Sequence, residues 1–158
     1  MVDDALIGKV VGRVRLPVEA GKIMEFASAV HDFNPLYRSA EAASARGFSG
    51  IPAPPTFAAT VNHFPDEELR RRGGLLSVLG LDPQRVLGGE QSWTYLRTLH
   101  AGDQLTGEML VKAISRKAGS RGGEMVFVTT ETVFNDAQGE PVLIHSNTII
   151  ETAKTVGS

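Results

Sequence analysis

The chain has 158 residues, 42% hydrophobic and 22% charged, with 16 Lys and Arg against 18 Asp and Glu and a net charge of −2. That balance excludes wholesale disorder and gives no global electrostatic drive toward nucleic acid or an anionic membrane. There is no cysteine, which removes disulfides, thiolate metal sites and a Cys nucleophile and fits a reducing cytoplasm. The longest fully apolar run, Met125 to Val128, falls far short of the roughly 20 residues of a membrane-spanning helix. The N-terminus starts acidic and lacks a leader pattern, so a cytoplasmic protein with no membrane partner is expected, built as one domain over residues 1–158.

Taken in order, Val10–Val18 reads as a strand with Val10, Val14, Leu16 and Val18 on one face. Gly12 and Pro17 place it at a sheet edge. From Glu19 the period changes. Ile23, Phe26, Ala27 and Val30 form the stripe of an amphipathic helix, which His31-Asp32-Phe33-Asn34-Pro35 stops because a residue before proline leaves the helical region. Ser39 caps a short helix that ends by Gly47. The stiff segment Gly50–Thr56 then leads into a helix carrying Phe57, Ala58, Thr60, Val61 and Phe64.

Asp66–Gly74 is charged, and Leu75–Leu87 reads as a loop broken by Gly80 and Pro83. Strand signals follow at Gln91–Leu99, Leu105–Ser115, Met125–Phe134 and Val142–Ile150. In the third of these, Val126, Val128, Thr130, Thr132 and Phe134 share one face. Hairpin signals lie at 101–103, 119–123 and 135–139. The pattern predicts an α+β domain, a single hot-dog fold with an antiparallel sheet wrapped around a central helix.

The commonest metal, nucleophile and phosphate-loop signatures are missing from this sequence. The four histidines include no i, i+4 pair, and the glycine pairs 88–89 and 122–123 lack the spacing of a phosphate loop. Gly47-Phe48-Ser49-Gly50 brings its second glycine one residue too early for a nucleophile elbow. No metal and no cofactor are expected. Arg70-Arg71-Arg72 suits either a phosphate or the basic last turn of a helix. The densest polar cluster is His31–Tyr37, with a carboxylate, an amide and a phenol on one loop. As local structure alone it is a helix exit made of side-chain turns.

That cluster also resembles the G-D-x-N-P-x-H motif of MaoC-like, R-specific enoyl hydratases, matched at Asp32, Asn34 and Pro35. Ala40, Ala43, Gly47-Phe48, Pro54-Pro55-Thr56-Phe57, Gly102-Asp103 and Gly139-Glu140-Pro141 extend the resemblance over about residues 5–152. The forms around Asn34–Tyr37 and Ala53–Phe57 are similar to the N-terminal-type dehydratase domain. That group includes the non-catalytic subunits of mycobacterial (3R)-hydroxyacyl carrier-protein dehydratases.

The resemblance implies chemistry on an acyl thioester. The motif's Asp and His hold the water that adds at Cβ, and a backbone N–H at the start of the central helix polarises the carbonyl. Two of those parts differ here. The motif His is Tyr37, and the glycine that gives the N–H is Pro55, which has none. His31, in place of the leading glycine, is a possible substitute imidazole.

The resemblance thus implies the acyl-binding component of an (R)-3-hydroxyacyl-ACP or -CoA dehydratase, weak or inactive alone and paired with a subunit carrying the intact motif. Asp32 remains at the site, and Asn34, Pro55, Thr56 and Phe57 are its candidate substrate contacts. Phe57, Val61, Phe64 and Leu75–Leu79 are candidate lining for the acyl chain. A self-sufficient homodimeric hydratase using Asp32 and a non-catalytic acyl-CoA-binding protein stay open, with thioesterase activity possible by analogy of fold. A homodimer or a heterodimer with a second hot-dog subunit is expected, because the sheet leaves an edge strand exposed.

Overall fold

The computed structural model describes residues 2–63, 66–119 and 123–155. Five strands form one antiparallel sheet: β1 (Val10–Pro17), β2 (Val86–Tyr95), β3 (Gln104–Ala118), β4 (Glu124–Asn135) and β5 (Pro141–Glu151), in the order β1-β3-β4-β5-β2. The helices are α1 (Ala20–Ala29), α2 (Ala40–Ser44), α3 (Glu67–Arg71) and α4 (Gly74–Leu79). A further 3-10 helix, Phe57–His63, lies against the inner face of the sheet. This is the hot-dog fold, and β1 is an edge strand as its Gly and Pro predict.

Alternation decides which face is inner. Val126, Val128, Thr130, Thr132 and Phe134 are all buried along β4. On β1 the expected parity fails at its start. A register shift between Val10 and Gly12 turns Val11 inward, at 2% exposure, and leaves Val10 48% exposed. Phe57, Ala58 and Val61 from the 3-10 helix join Leu16, Phe134 and Leu143 in one apolar cluster. Val11, Leu79, Val111 and Val128 belong to a second.

The expected helix after Pro55 exists but is wound as a 3-10 helix, with the Ala59 amide donating to the Thr56 carbonyl. Phe64, one of its expected apolar residues, lies outside the described residues, as does most of the 119–123 turn. The expected loop over Leu75–Leu87 instead contains α4. The helix is closed by Gly80 in the left-handed region at φ 70, so the glycine acts as a C-terminal stop rather than a loop breaker. Arg70 and Arg71 occupy the last turn of α3, whose first turn is capped by Asp66 Oδ1 accepting from the Leu69 amide.

Two corrections concern β2. It begins at Val86 and ends at Tyr95, so Leu99 lies beyond it, although buried at 2%. Its partner is β5, not β3, so residues 101–103 are no hairpin. They end a crossover from one edge of the sheet toward the other. That crossover is held by the Ala53 amide donating to Leu99 and the Ala101 amide donating to Ile51. Asp103 anchors it, accepting from both Nη atoms of Arg97 and from the His100 amide. Burial pushes the Asp103 carboxyl up, but these hydrogen bonds and the Arg97 charge outweigh burial and hold it below its usual range.

Candidate functional site

The loop after α1 carries the motif residues, and its shape follows from their side chains. His31 has a positive φ of 58 and an exposed ring that meets Phe33 edge-on at 6.3 Å between centroids. Asp32 is half-buried, and its Oδ1 accepts from the Asn34 amide at 3.0 Å. Asn34 Oδ1 accepts from the Leu36 amide at 3.1 Å and so caps the 3-10 turn Pro35–Tyr37. Both polar side chains therefore shape the loop, which is the structural role their types favour.

Tyr37 is half-buried and packs on the cluster that holds Phe57 and Ala58. Burial, and then the negative charge of Asp32, raise its phenol above the ordinary value. The helix α1 that leads into the loop meets the start of the 3-10 helix where Phe26 packs edge-on against Phe57, 5.7 Å between centroids. Pro55 and Thr56 are exposed, whereas Phe57 is 1% exposed and part of the core. The Pro55 carbonyl accepts from the Tyr95 hydroxyl on β2. His31, by contrast, is exposed and its ring contact is with the exposed Phe33.

Further along the inner face lies a cavity of about 200 Å³. Thr130 and Thr132 from β4, His145 and Asn147 from β5, and Asn62 from the 3-10 helix give it a polar side. Val61, Leu75 and Phe134 are among its apolar lining. His145 is 6% exposed and stacks on Trp93, and its Nε2 has no hydrogen-bond partner among the described residues. Burial pushes its imidazole down to about 4. Among the candidate lining residues, Val61 and Leu75 reach this cavity. The inward parity of β4 and β5 was the available signal for its polar side, but two threonines on a strand do not by themselves point to a site.

Sheet, 3-10 helix and motif loop together define a hot-dog fold of the dehydratase/hydratase type. The chain belongs to the FAS1-like dehydratase domain region family, whose model matches residues 5–145. It is 37% identical over 129 residues to a UPF0336 protein of Leifsonia xyli subsp. xyli, covering 82% of this chain and 80% of that one. A solved MaoC-like dehydratase superposes with a TM-score of 0.72 at 29% identity, over 94% of this chain and 44% of its own. The HadBC (3R)-hydroxyacyl-ACP dehydratase complex of Mycobacterium tuberculosis shares the fold, with a TM-score of 0.71 at 22% identity, over 95% of this chain and 99% of that one.

Proposed function

We propose that this chain is the acyl-thioester-binding component of an (R)-3-hydroxyacyl-ACP or -CoA dehydratase, working with a second hot-dog subunit that carries an intact Asp-His pair. Dehydration takes a proton from Cα and gives one to the hydroxyl leaving Cβ, while charge builds on the thioester oxygen. A general base or acid contributes about 10²–10⁴ in rate and an oxyanion donor about 10²–10³. The observation that carries the reading is Tyr37 in the place of the motif His. With a phenol held above its usual pKa by burial and by Asp32, it donates a hydrogen bond at neutral pH and does not take up a proton.

Pro55 supports the same reading. At the position where the family offers an N–H it presents a carbonyl already accepting from Tyr95, so it cannot stabilise an oxyanion. Asp32, beside Tyr37, retains the ability to hold a water or a substrate hydroxyl. His31, the one imidazole of the loop, is exposed.

The test follows hydration of a medium-chain trans-2-enoyl-CoA by loss of enoyl absorbance, with Asp32→Asn alongside. The purified chain is expected to give no turnover above background and to gain it when its co-purified hot-dog partner is added. Turnover by the chain alone, abolished in Asp32→Asn, would instead establish a homodimeric hydratase. Tight acyl-CoA binding with no turnover, partner present, would establish a non-catalytic binding protein.

A further inference from the structure

The inner face of a sheet that wraps a helix is ordinarily apolar. Here the two apolar clusters are separated by a polar band, and the cavity lies in it. Thr132 pairs across strands with His145, and Thr130 with Asn147, so the four side chains form two adjacent rows on that face. Buried polar groups cost free energy unless they are paired. Among the described residues the Thr130 hydroxyl reaches only the Asn147 carbonyl, at a long 3.5 Å. The His145 Nε2 reaches no partner among the described residues although the residue is 94% buried. Valine and leucine at these places would serve an aliphatic tail better and would leave nothing unpaired.

The cavity exceeds the roughly 150 Å³ that accepts a benzene ring in an engineered core. Its place along the sheet is also informative. Tyr95, which holds the Pro55 carbonyl, pairs across strands with Leu143. His145 lies two residues farther along β5, about 7 Å at the usual strand rise. The cavity therefore lies one inward-facing pair farther along β2 and β5 than the tyrosine that holds the Pro55 carbonyl.

We propose that this cavity receives the distal part of an acyl chain bearing a neutral hydrogen-bonding oxygen, a hydroxyl or a carbonyl, which pairs with His145 and the Thr132 hydroxyl. The inference rests on the acyl-thioester reading above. Neutrality of the oxygen follows from the site. An imidazole lowered to about 4 carries no charge at neutral pH, and among the described residues no cationic side chain lines the cavity to hold a carboxylate.

Trp93 is the single tryptophan of the chain and lies flat on His145, so its fluorescence reports on the site. Octanoyl-CoA and ω-hydroxyoctanoyl-CoA are titrated against wild type, His145→Phe, which keeps an aromatic ring on Trp93, and Thr132→Val, which keeps the shape. Free 1-hexanol is titrated alongside. The hydroxylated thioester is expected to bind wild type about fivefold to tenfold tighter than octanoyl-CoA, the worth of one net hydrogen bond. Both variants should lose that preference. If His145→Phe does not fold, Thr132→Val alone decides.

Equal affinity for the two thioesters, or a preference that survives the variants, overturns the cavity assignment and leaves the thioester reading intact. Binding of hexanol by wild type alone, with neither thioester bound, keeps the cavity and removes the thioester reading. No response to any of the three ligands overturns both.

Discussion

The indole of Trp93 on β2 lies flat on the imidazole of His145 on β5, with ring centroids 3.7 Å apart and planes 6° from parallel. The two are directly opposed across the strands, so the stack closes the inner face beside the edge strand. Burial in this sandwich is what lowers the imidazole from 6.5 to about 4.

A pH dependence follows from that shift. Because the folded state resists protonation that the unfolded state accepts, the unfolded chain binds more protons between about pH 6.5 and 4. The contribution is fully present above pH 6.5 and is lost as pH falls toward 4. At about 1.4 kcal/mol per pKa unit it amounts to on the order of 3 kcal/mol. Urea unfolding at pH 7 and pH 4.5 should show the loss in wild type, and His145→Phe should flatten that part of the slope.

Glu151 should matter more than its place near the end of the chain suggests. It is 5% exposed, and its Oε1 accepts from the Asp82 amide and from Arg85 Nη2, each at 2.9 Å. Glu151→Ala strands the Asp82 amide and takes from Arg85 one of its two carboxylate partners, and is expected to cost about 2 kcal/mol, near the lower part of the range for charged hydrogen bonds because Arg85 keeps Asp82 and remains partly solvated. Glu151→Gln keeps an acceptor and should cost about half as much. Chemical denaturation of the two variants checks the order.

Two glycine substitutions should separate cleanly. A Cβ at Gly107 on β3 would sit 2.6 Å from Thr132 Cγ2 and 3.0 Å from the Val133 carbonyl oxygen, so Gly107→Ala must displace β4. A loss of about 2 kcal/mol is expected from such overpacking. At Gly88 on the edge strand a Cβ meets nothing within 4 Å, so Gly88→Ala should be close to neutral. Thermal melts of the pair measure the difference.

Tyr37→His rebuilds the acid–base pair of the motif beside Asp32. Enoyl-CoA hydration by this variant alone should rise about 10²-fold over wild type, the low end for a positioned general base. It should stay well below a complete hydratase because Pro55 still offers no N–H. Adding Asp32→Asn should abolish the gain. Absence of any gain, with acyl-CoA still bound, would place the reacting carbons away from this loop.

Much of the fold was legible because it is local. The alternation of β4 placed Val126, Val128, Thr130, Thr132 and Phe134 on the buried face correctly, since a strand's period of two needs no knowledge of its neighbours. Ser39 capped α2 as its type suggests, through the Ala42 amide. The motif loop was also legible, because Asp32 and Asn34 bond to amides two residues on.

The errors were nonlocal or came from one residue type serving two ends. Gly80 terminates α4 by adopting a left-handed backbone, while in the sequence it looks like any loop glycine. Val10 lost its place to Val11 through a bulge that exists only in the pairing with β3.

Composition and periodicity by themselves determined an α+β chain with most of its strands in the second half and a polar loop after the first helix, and the resemblance carried by Asp32, Asn34 and Pro35 pointed to the family. Tertiary structure alone decided that β2 crosses to the far edge and pairs with β5. That pairing brings Trp93 onto His145, and the β4–β5 pairing sets His145 beside Thr132. Residues so far apart in sequence leave no local trace of their meeting, because contact between them depends on strand order and register rather than on the preferences of either segment.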